Sequence, residues 1–276
     1  MSDGAADLDE ILELVRQRRQ IDFTDYRRDT LASRLQSRLQ ACGSGGLPDY
    51  RTALRDQPDE VDRLVEALLV PVTSFFRDPL TFRRLAEFVL PALVPARHLV
   101  RAWVIGAATG EEAFSVAFLL AEAAARQPGL GFEVLASDLH RPSLEVARAA
   151  LYPDAAVAAV PPALRSRYLL PEHGGQRVCE EIRARVRFVE HDLVGTRLAP
   201  PEAVIPAFEI VLCRNVLLYF GPGLRAQAAR RLSAVVAPRC ALVLGAAEAL
   251  PEGAAAAFRC WPGLLPDAGI FQRSGP

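Results

Sequence analysis

The chain has 276 residues, about half of them apolar, which is enough for one large domain or for a small and a larger one, each with a buried core. Its formal net charge is −1 and all 32 Lys and Arg positions are arginine, so it lacks the basic excess typical of a general nucleic-acid or membrane-surface binder. It also lacks an apolar run of the roughly 20 residues that a membrane span needs, and its acidic beginning is unlike a signal peptide.

The five cysteines are widely separated and form no C-x-x-C pair, and the four histidines have no ligand spacing with them. This spacing favours reduced, buried thiols over a zinc site or a disulfide framework. We therefore expect a cytoplasmic protein that binds no metal and no nucleic acid and does not insert directly into a membrane. Nothing in the sequence suggests an obligate dimer, so we expect a monomer.

The first part of the chain has the apolar spacing of helices. Leucine, isoleucine and valine recur every three or four positions over 8–15, 31–39 and 61–69. Gly43 is predicted to cap the second of these helices at its C-terminus, and Pro71 to end the last one. The sequence therefore predicts a small all-α domain over residues 1–75.

After residue 75, predicted strands alternate with predicted helices. The strands are 99–105, 132–138, 186–190, 208–213 and 240–246, and the helices are 111–126, 142–150 and 223–236. The last stretch, 257–273, is compatible with a closing antiparallel hairpin. This alternation predicts an α/β fold over residues 76–276, with a parallel sheet that has helices on both faces.

Residues 151–185 interrupt this alternation, because they are rich in alanine, proline and arginine. Within them, Y-L-L lies before and R-V-C lies after the turn-forming H-G-G at 173–175. The sequence predicts a short β-hairpin insertion here, at the edge of the sheet.

The loop after the first predicted strand contains Gly106 and Gly110, followed directly by Glu111 and Glu112. Ligands of open α/β sheets bind beyond the carboxyl ends of the strands, so this loop is a candidate site. A triphosphate site needs G-x-x-x-x-G-K-[ST] and a dinucleotide site needs G-x-G-x-x-G, whereas the spacing here is G-x-x-x-G. Two carboxylates would also repel phosphate.

A ligand with a cationic end and no phosphate fits this loop better. S-adenosyl-L-methionine carries an α-ammonium group that pairs with a carboxylate, and Asp138, at the end of the second strand, can accept both ribose hydroxyls. A single first-turn glutamate is also explained as a favourable charge at a helix N-terminus. That explanation does not account for two glutamates together with the glycines and Asp138.

Several motifs along the chain resemble those of the chemotaxis receptor methyltransferases of the CheR type. They are R-R-D-x-x-x-S-R-L at 27–35, V-T-S-F-F-R-D-P at 72–79, T-G-E-E-A-F-S at 109–115, A-S-D at 136–138, F-E-I-V-L-C-R-N-V-L-L-Y-F at 208–220 and L-G-A-A-E at 244–248. The resemblance implies a Rossmann-like class I methyltransferase domain after the helical one. It also implies methyl transfer from S-adenosyl-L-methionine to glutamates on the cytoplasmic methylation helices of chemoreceptors, with S-adenosyl-L-homocysteine as the product.

The resemblance further implies roles for individual residues. Cofactor-binding positions are Thr73, Arg77, Gly106, Glu112, Asp138, Asp192, Leu193, Arg214 and Asn215. Among them, Glu112 matches the residue on the ammonium, Asp138 matches the one on the ribose, and Asp192 lies beside the adenine. Arg77 and Tyr219 match positions near the transferred methyl and the substrate carboxylate. That carboxylate is already ionised near neutral pH, so we assign both residues to positioning rather than to proton transfer.

The resemblance also implies substrate docking by Arg27, Arg34 and Arg38, which the helical period places on one stripe of the second helix. A purely structural role is the alternative for several of these residues. The arginine stripe is also consistent with a solvated helix face, Arg77 with a surface salt bridge to Asp78, and Tyr219 with a packed tyrosine at a sheet end.

The chain departs from the family's pattern in four segments. Pro71 stands where the family has asparagine, Ala113 and Phe114 replace proline and tyrosine, Asp192 replaces asparagine, and G-A-A-E replaces G-H-S-E. These changes leave a second hypothesis open, in which a methyltransferase-fold module binds S-adenosyl-L-methionine or S-adenosyl-L-homocysteine as a sensor or scaffold without efficient turnover. An NAD-dependent oxidoreductase is the third alternative.

Overall fold

The structure is a computed structural model that describes residues 3–69, 72–203 and 207–275, with side chains from residue 6 onward. It comprises two compact units. The first is Met1–Val70 with Tyr219–Arg225, and the second is Pro71–Leu218 with Ala226–Pro276. Within the described ranges, no helix is long and apolar enough to cross a membrane.

The first unit is built from four helices. They are α1 (Asp3–Arg19), α2 (Arg28–Cys42), α3 (Leu47–Asp56) and α4 (Pro58–Leu68). The predicted apolar positions form its core, including Ile11, Leu35 and Leu64, which confirms the helical periodicity. Gly43 caps α2 with a φ of 68°, as predicted, and its N–H donates to the carbonyl of Gln40.

The sequence pattern predicts the helix over 61–69 but no helix over 47–56, where the structure has α3, separated from α4 by a break. Gln57 between them is extended, with φ −122° and ψ 94°, and Pro58 is the first residue of α4. Proline disfavours helical geometry in the preceding residue and is well tolerated at the start of a helix. The Gln57–Pro58 pair therefore accounts for the break.

Residues 219–225 belong to the first unit because Asp25 binds their backbone. The Asp25 carbonyl accepts from Gly221 N at 2.6 Å, and its Oδ2 accepts from Leu224 N at 2.6 Å. Next to this contact, the ring of Phe220 packs edge-to-face on Tyr26 with centroids 5.1 Å apart.

The second unit contains a seven-stranded sheet. Its strands are β1 (Leu99–Ile105), β2 (Gly131–Asp138), β6 (Val186–Glu190), β7 (Phe208–Cys213), β8 (Val236–Leu244), β9 (Phe258–Cys260) and β10 (Ile270–Arg273). Their order is β6-β2-β1-β7-β8-β10-β9, with β10 antiparallel to both of its neighbours and the other pairs parallel. This confirms the predicted α/β fold and the closing hairpin.

Helices lie on both faces of this sheet. They include α5 (Pro79–Arg84), α6 (Leu90–Leu93), α7 (Glu111–Arg126), α8 (Arg141–Ala149) and α11 (Pro222–Val235), and a π-helical segment, Leu85–Val89, joins α5 to α6. β8 ends at Leu244, before the predicted residue 246, because the Glu248 N–H donates to the Gly245 carbonyl and closes a turn.

The predicted hairpin insertion is present and forms a sheet of its own, β3-β5-β4. Its strands are β3 (Leu151–Tyr152), β4 (Leu169–Glu172) and β5 (Gly175–Val178), and its helices are α9 (Pro162–Tyr168) and α10 (Glu180–Arg183). Tyr168 attaches it to α7, since its ring stacks on Phe118 with centroids 5.2 Å apart and its hydroxyl donates to Glu122 at 2.8 Å.

Residues 72–75, which the sequence pattern assigns to the helical domain, belong to the second unit in the structure. The side chains of Phe75 and Phe76 are buried, and the Phe76 N–H donates to Ser115 Oγ of α7 at 2.9 Å. The Phe75 ring stacks on Phe118 of α7, and this contact together with the Phe76 hydrogen bond explains why the units divide earlier than residue 75.

The cysteines are free thiols, as predicted, but not all of them are buried. Cys213 and Cys240 lie inside the sheet, whereas Cys42, at the end of α2, is exposed.

Candidate functional site

The candidate site lies at the carboxyl ends of β1, β2, β7 and β8. The chain runs from β1 outward to β2 and β6 and then crosses to β7 on the other side of β1. Such a reversal of strand order opens a crevice beyond the strand ends, where open α/β sheets bind ligands. The loops 106–110, 214–218 and 245–248 meet there.

The two glycines of the 106–110 loop have backbone conformations that other residues rarely adopt. The φ values are 71° at Gly106 and 95° at Gly110. A Cβ on Gly106 would come within 2.5 Å of Val216, and one on Gly110 within 3.0 Å of Tyr152 and Phe188. The loop can therefore close on its neighbours only because both residues are glycine.

Asp138 joins this loop to the end of β2. Its Oδ2 accepts from Ala108 N at 2.8 Å and its Oδ1 accepts from His140 N at 2.8 Å. Each carboxylate oxygen has more than one lone pair, and Asp138 is half-exposed, so it retains acceptor capacity for a diol. Its contact with a ribose stays a prediction.

Glu112 forms a buried ion pair with Arg214. Arg214 Nη1 lies 2.5 Å from Glu112 Oε2, and the exposed fractions of the two side chains are 0% and 9%. Burial raises the pKa of the Glu112 carboxyl, and the guanidinium of Arg214 opposes that rise by favouring the ionised form. Among the described residues Glu112 Oε1 accepts no hydrogen bond, so one oxygen is left for a cation.

Arg214 also ties the segment 77–78 to the site. Its Nη2 donates to the Arg77 carbonyl at 3.0 Å and to Asp78 Oδ2 at 2.6 Å, and its guanidinium lies over the ring of Phe82. Within the described residues Asp78 thus pairs with Arg214 and forms no salt bridge with Arg77. The alternative of a surface salt bridge between Arg77 and Asp78 is therefore wrong.

Arg77 itself lies beside Glu112. Its Nη1 donates to the Val72 carbonyl at 3.0 Å, and its charge acts to lower the pKa of Glu112. Thr73 is half-buried on the same segment. Pro71, where the family pattern has asparagine, lies outside the described residues.

Glu248 is a residue of this site that the sequence reasoning missed. Its Oε2 accepts from Asn215 N at 2.7 Å and from Gly245 N at 2.8 Å, and its Oε1 accepts from Leu218 N at 3.2 Å. These hydrogen bonds to Glu248 hold Asn215, with a φ of 58°, in a left-handed conformation. The signal that could have found it is a carboxylate in the turn after a buried strand, in L-G-A-A-E.

The H-D-L segment follows β6 and touches Asp138 through its backbone, since His191 N donates to the Asp138 carbonyl at 3.2 Å. Asp192 Oδ1 accepts from Val194 N at 2.9 Å, and Leu193 is buried. Burial of the His191 ring lowers its pKa to about 4, so the ring is neutral at pH 7.

Glu111 differs from Glu112 in its surroundings, although both are buried at the start of α7. Glu111 Oε2 accepts from Thr109 Oγ1 at 2.6 Å, and burial raises the pKa of its carboxyl. Its backbone carbonyl accepts from Ser115 Oγ at 2.7 Å. The Glu111 side chain therefore hydrogen-bonds within the loop, whereas the Glu112 side chain pairs with Arg214.

The predicted docking residues and Tyr219 belong to the first unit. Arg38 forms a two-pronged ion pair with Glu60, with distances of 2.8 and 2.6 Å, and Arg34 Nη1 donates to the Ala67 carbonyl at 3.4 Å. Arg27 is exposed, and its N–H donates to the Tyr219 carbonyl at 2.9 Å. The predicted helical stripe therefore holds for Arg34 and Arg38 but not for Arg27, which precedes α2 with an extended backbone (φ −61°, ψ 111°) and is the most open to solvent of the three.

Two family models match the chain. CheR methyltransferase, all-alpha domain, matches residues 6–69, and CheR methyltransferase, SAM binding domain, matches residues 71–263. The chemotaxis protein methyltransferase of Klebsiella aerogenes is 31% identical over 244 residues, which are 86% of this chain and 81% of that protein.

Two further similarities were found. An uncharacterised 104.1 kDa protein of Rhodobacter capsulatus is 32% identical over 95% of this chain, which spans 28% of that protein's length. A TehB-like SAM-dependent methyltransferase structure from Corynebacterium glutamicum is 13% identical, with a TM-score of 0.39 over 71% of this chain and 94% of that chain. The two family models meet where the two compact units divide, between residues 69 and 71.

Proposed function

Because the chain belongs to the CheR methyltransferase family, we propose that it transfers the methyl group of S-adenosyl-L-methionine to glutamate side-chain carboxylates of chemoreceptors. Its second unit is the S-adenosylmethionine-binding domain of that family. The proposed partners are the cytoplasmic methylation helices of the receptors, and the proposed product is S-adenosyl-L-homocysteine.

The observation that carries this proposal is the set of acceptors around the glycine loop. Glu112 offers a carboxylate oxygen at the start of α7, and Asp138 offers a half-exposed carboxylate at the end of β2. An ammonium group and a ribose diol both need acceptors, whereas a phosphate needs donors. The chemistry of these side chains therefore fits S-adenosyl-L-methionine and argues against a nucleotide phosphate.

When bound, S-adenosyl-L-methionine supplies a methyl group on a positively charged sulfur. The attacking glutamate is ionised near neutral pH, so no residue of the chain has to remove a proton. The residues have to hold the carboxylate in line with the methyl and keep water out, which can supply about 7–11 kcal/mol of the barrier. We assign this positioning to Arg77 and Tyr219, since a guanidinium and a phenol both donate hydrogen bonds to a planar carboxylate.

Recognition of the receptor is proposed for the exposed side of α2. Arg27, the residue directly before α2, is open to solvent, whereas the charge of Arg38 is already neutralised by Glu60. Docking is therefore proposed through Arg27, with support from Arg34, on a basic surface thinner than three accessible arginines would give.

One observation favours the alternative of a binding module with weak turnover. Arg214 already neutralises Glu112 at 2.5 Å, so a ligand ammonium has to share this carboxylate with a buried guanidinium. Sharing weakens the attraction for the cation. A protein that holds the cofactor or its product only as a signal would tolerate such weakened binding.

Calorimetry with S-adenosyl-L-homocysteine and a methylation assay on chemoreceptor fragments separate the two functions. The enzyme hypothesis predicts product binding together with a base-labile methyl group on the receptor. Product binding without receptor methylation would favour the binding module. Tight NAD binding with no affinity for S-adenosyl-L-methionine would instead support an oxidoreductase.

A further inference from the structure

Tyr152 is a buried residue that touches the glycine loop from outside the site described above. Its exposed fraction is 2%, and its hydroxyl donates to the Thr109 carbonyl at 2.7 Å. Its ring packs edge-to-face on Phe75, with centroids 4.9 Å apart. Burial raises the pKa of the phenol well above its ordinary value, so the hydroxyl keeps its proton and remains a donor.

This hydrogen bond supports the part of the loop that leads into α7. The beginning of the loop is held from β2, where the Ser137 carbonyl accepts from Gly106 N at 2.8 Å and Asp138 accepts from Ala108 N. Thr109 follows, immediately before Gly110 and the two glutamates. The Tyr152 hydroxyl thus binds the loop from the insertion, in addition to the support from β2.

Tyr152 is at the same time part of the insertion sheet. It lies in β3, paired with Gln176 of β5. Gly175, with a φ of 145°, packs so closely that a Cβ on it would collide with the Tyr152 carbonyl oxygen. A side chain at position 175, the first residue of β5, therefore has to move the Tyr152 backbone.

We propose that Tyr152 is a positioning residue, which fixes the glycine loop and the start of α7 for cofactor binding and transmits the conformation of the insertion sheet to cofactor affinity. The inference rests on the proposed function in one respect, namely that S-adenosyl-L-methionine is the ligand of this loop. Tyr152 touches no ligand itself. It limits the conformations that the free loop can adopt, so that less conformational entropy is lost when the cofactor binds.

The first test is Tyr152→Phe, with Tyr168→Phe as the matched control. Both changes remove one phenol hydroxyl from the insertion's contacts with its neighbours, but Tyr168 donates to a side chain of α7 and not to the loop. Calorimetry with S-adenosyl-L-homocysteine should show Kd about threefold to tenfold higher for Tyr152→Phe, as expected for one hydrogen bond. The control should bind as the wild type does, even if its melting temperature falls.

The second test changes the first residue of β5. Gly175→Ala should weaken binding of S-adenosyl-L-homocysteine, whereas Gly174→Ala, which has a similarly unusual φ of 94° and meets only Leu151, should not. In the Tyr152→Phe background, Gly175→Ala should add little, because both changes act through the same hydrogen bond. With saturating cofactor, kcat of Tyr152→Phe should stay near the wild-type value while KM for the cofactor rises.

Three results would overturn the inference. They are a Tyr152→Phe variant whose Kd lies within twofold of the wild type, an equal loss of affinity in Tyr168→Phe, and full additivity of the Gly175 and Tyr152 effects. A wild-type protein that does not bind S-adenosyl-L-homocysteine would overturn the proposed function together with this inference. Normal wild-type binding with an unaffected Tyr152→Phe variant would overturn this inference alone.

Discussion

Replacement of Glu112 by glutamine tests the central contact of the site in two ways at once. Glutamine keeps the size and an acceptor oxygen but removes the negative charge. In the native structure this charge faces Arg214 at 2.5 Å, with the arginine side chain fully buried. The substitution therefore affects both the stability of the fold and the attraction for a cationic ligand.

The effect on the free energy of unfolding depends on the hydrogen-bond acceptors that Arg214 retains. Breaking a buried ion pair by removing one partner typically costs about 3–5 kcal/mol. Arg214 retains Asp78 Oδ2 at 2.6 Å and the Arg77 carbonyl at 3.0 Å, and 42% of the Asp78 side chain is exposed. Because the guanidinium keeps these acceptors, we expect a loss of about 2–3 kcal/mol in the free energy of unfolding.

The binding effect is estimated separately. A hydrogen bond to a charged group contributes about 1.5–3 kcal/mol, so Kd for S-adenosyl-L-homocysteine should rise about tenfold to hundredfold. Glu111→Gln is the matched control, because Glu111 is equally buried in the same helix turn but bonds to Thr109. Its Kd should change less than about threefold, because the Glu111 side chain bonds within the loop and not to the ligand.

Denaturant unfolding and calorimetry measure the two effects. If Glu112→Gln is folded and binds S-adenosyl-L-homocysteine as tightly as the wild type, Glu112 does not contact the ammonium group. If Glu111→Gln loses as much affinity as Glu112→Gln, the assignment of the two glutamates is reversed. If Glu112→Gln shows no loss of stability, the Glu112–Arg214 pair does not stabilise the fold.

Further predictions concern other parts of the chain. Asp138→Ala should weaken product binding by about 1–3 kcal/mol in calorimetry, through lost hydrogen bonds to the ribose, and unchanged affinity would remove Asp138 from the site. Arg38→Ala should lower the free energy of unfolding of the first unit by about 2–4 kcal/mol, because it removes the main partner of the buried Glu60 carboxylate; a change below about 0.5 kcal/mol would contradict the importance of this pair. Arg27→Glu should leave thermal unfolding unchanged and impair receptor methylation, and undiminished methylation would refute docking through Arg27. His191, whose pKa falls from 6.5 to about 4 on folding, binds a proton more readily in the unfolded chain, so stability should fall as the pH is lowered from 6.5 to 4. We expect about 1–2 kcal/mol of this loss, discounted for partial exposure, to disappear in His191→Gln, and an identical pH profile for that variant would contradict the assignment.

The sheet and its helices could be predicted because their signals are local. The strand over 99–105 and the helix over 111–126 have the predicted bounds, since an apolar run, two glycines and a helical period follow one another without a gap. The same locality explains why Glu112 and Asp138 could be proposed from motifs, as each directly follows a recognisable turn or strand.

The contacts that hold the site together could not be predicted, because they join residues far apart in the chain. Arg214 pairs with Glu112 and Asp78, which precede it by more than a hundred residues, and Tyr152 reaches Thr109 from the insertion. Helical periodicity places Arg38 on a basic stripe of α2 and gives no sign that Glu60 of α4 binds it. Local periodicity gives the face on which a residue lies and does not give its partner on another element.

Transfer of a labelled methyl group from S-adenosyl-L-methionine to a chemoreceptor cytoplasmic fragment tests the central claim most directly. The proposed function predicts a methyl group that is released by base, that maps to glutamates of the methylation helices, and that is lost when those glutamates are replaced by alanine. A wild-type protein that binds S-adenosyl-L-homocysteine but leaves the fragment unlabelled would contradict it.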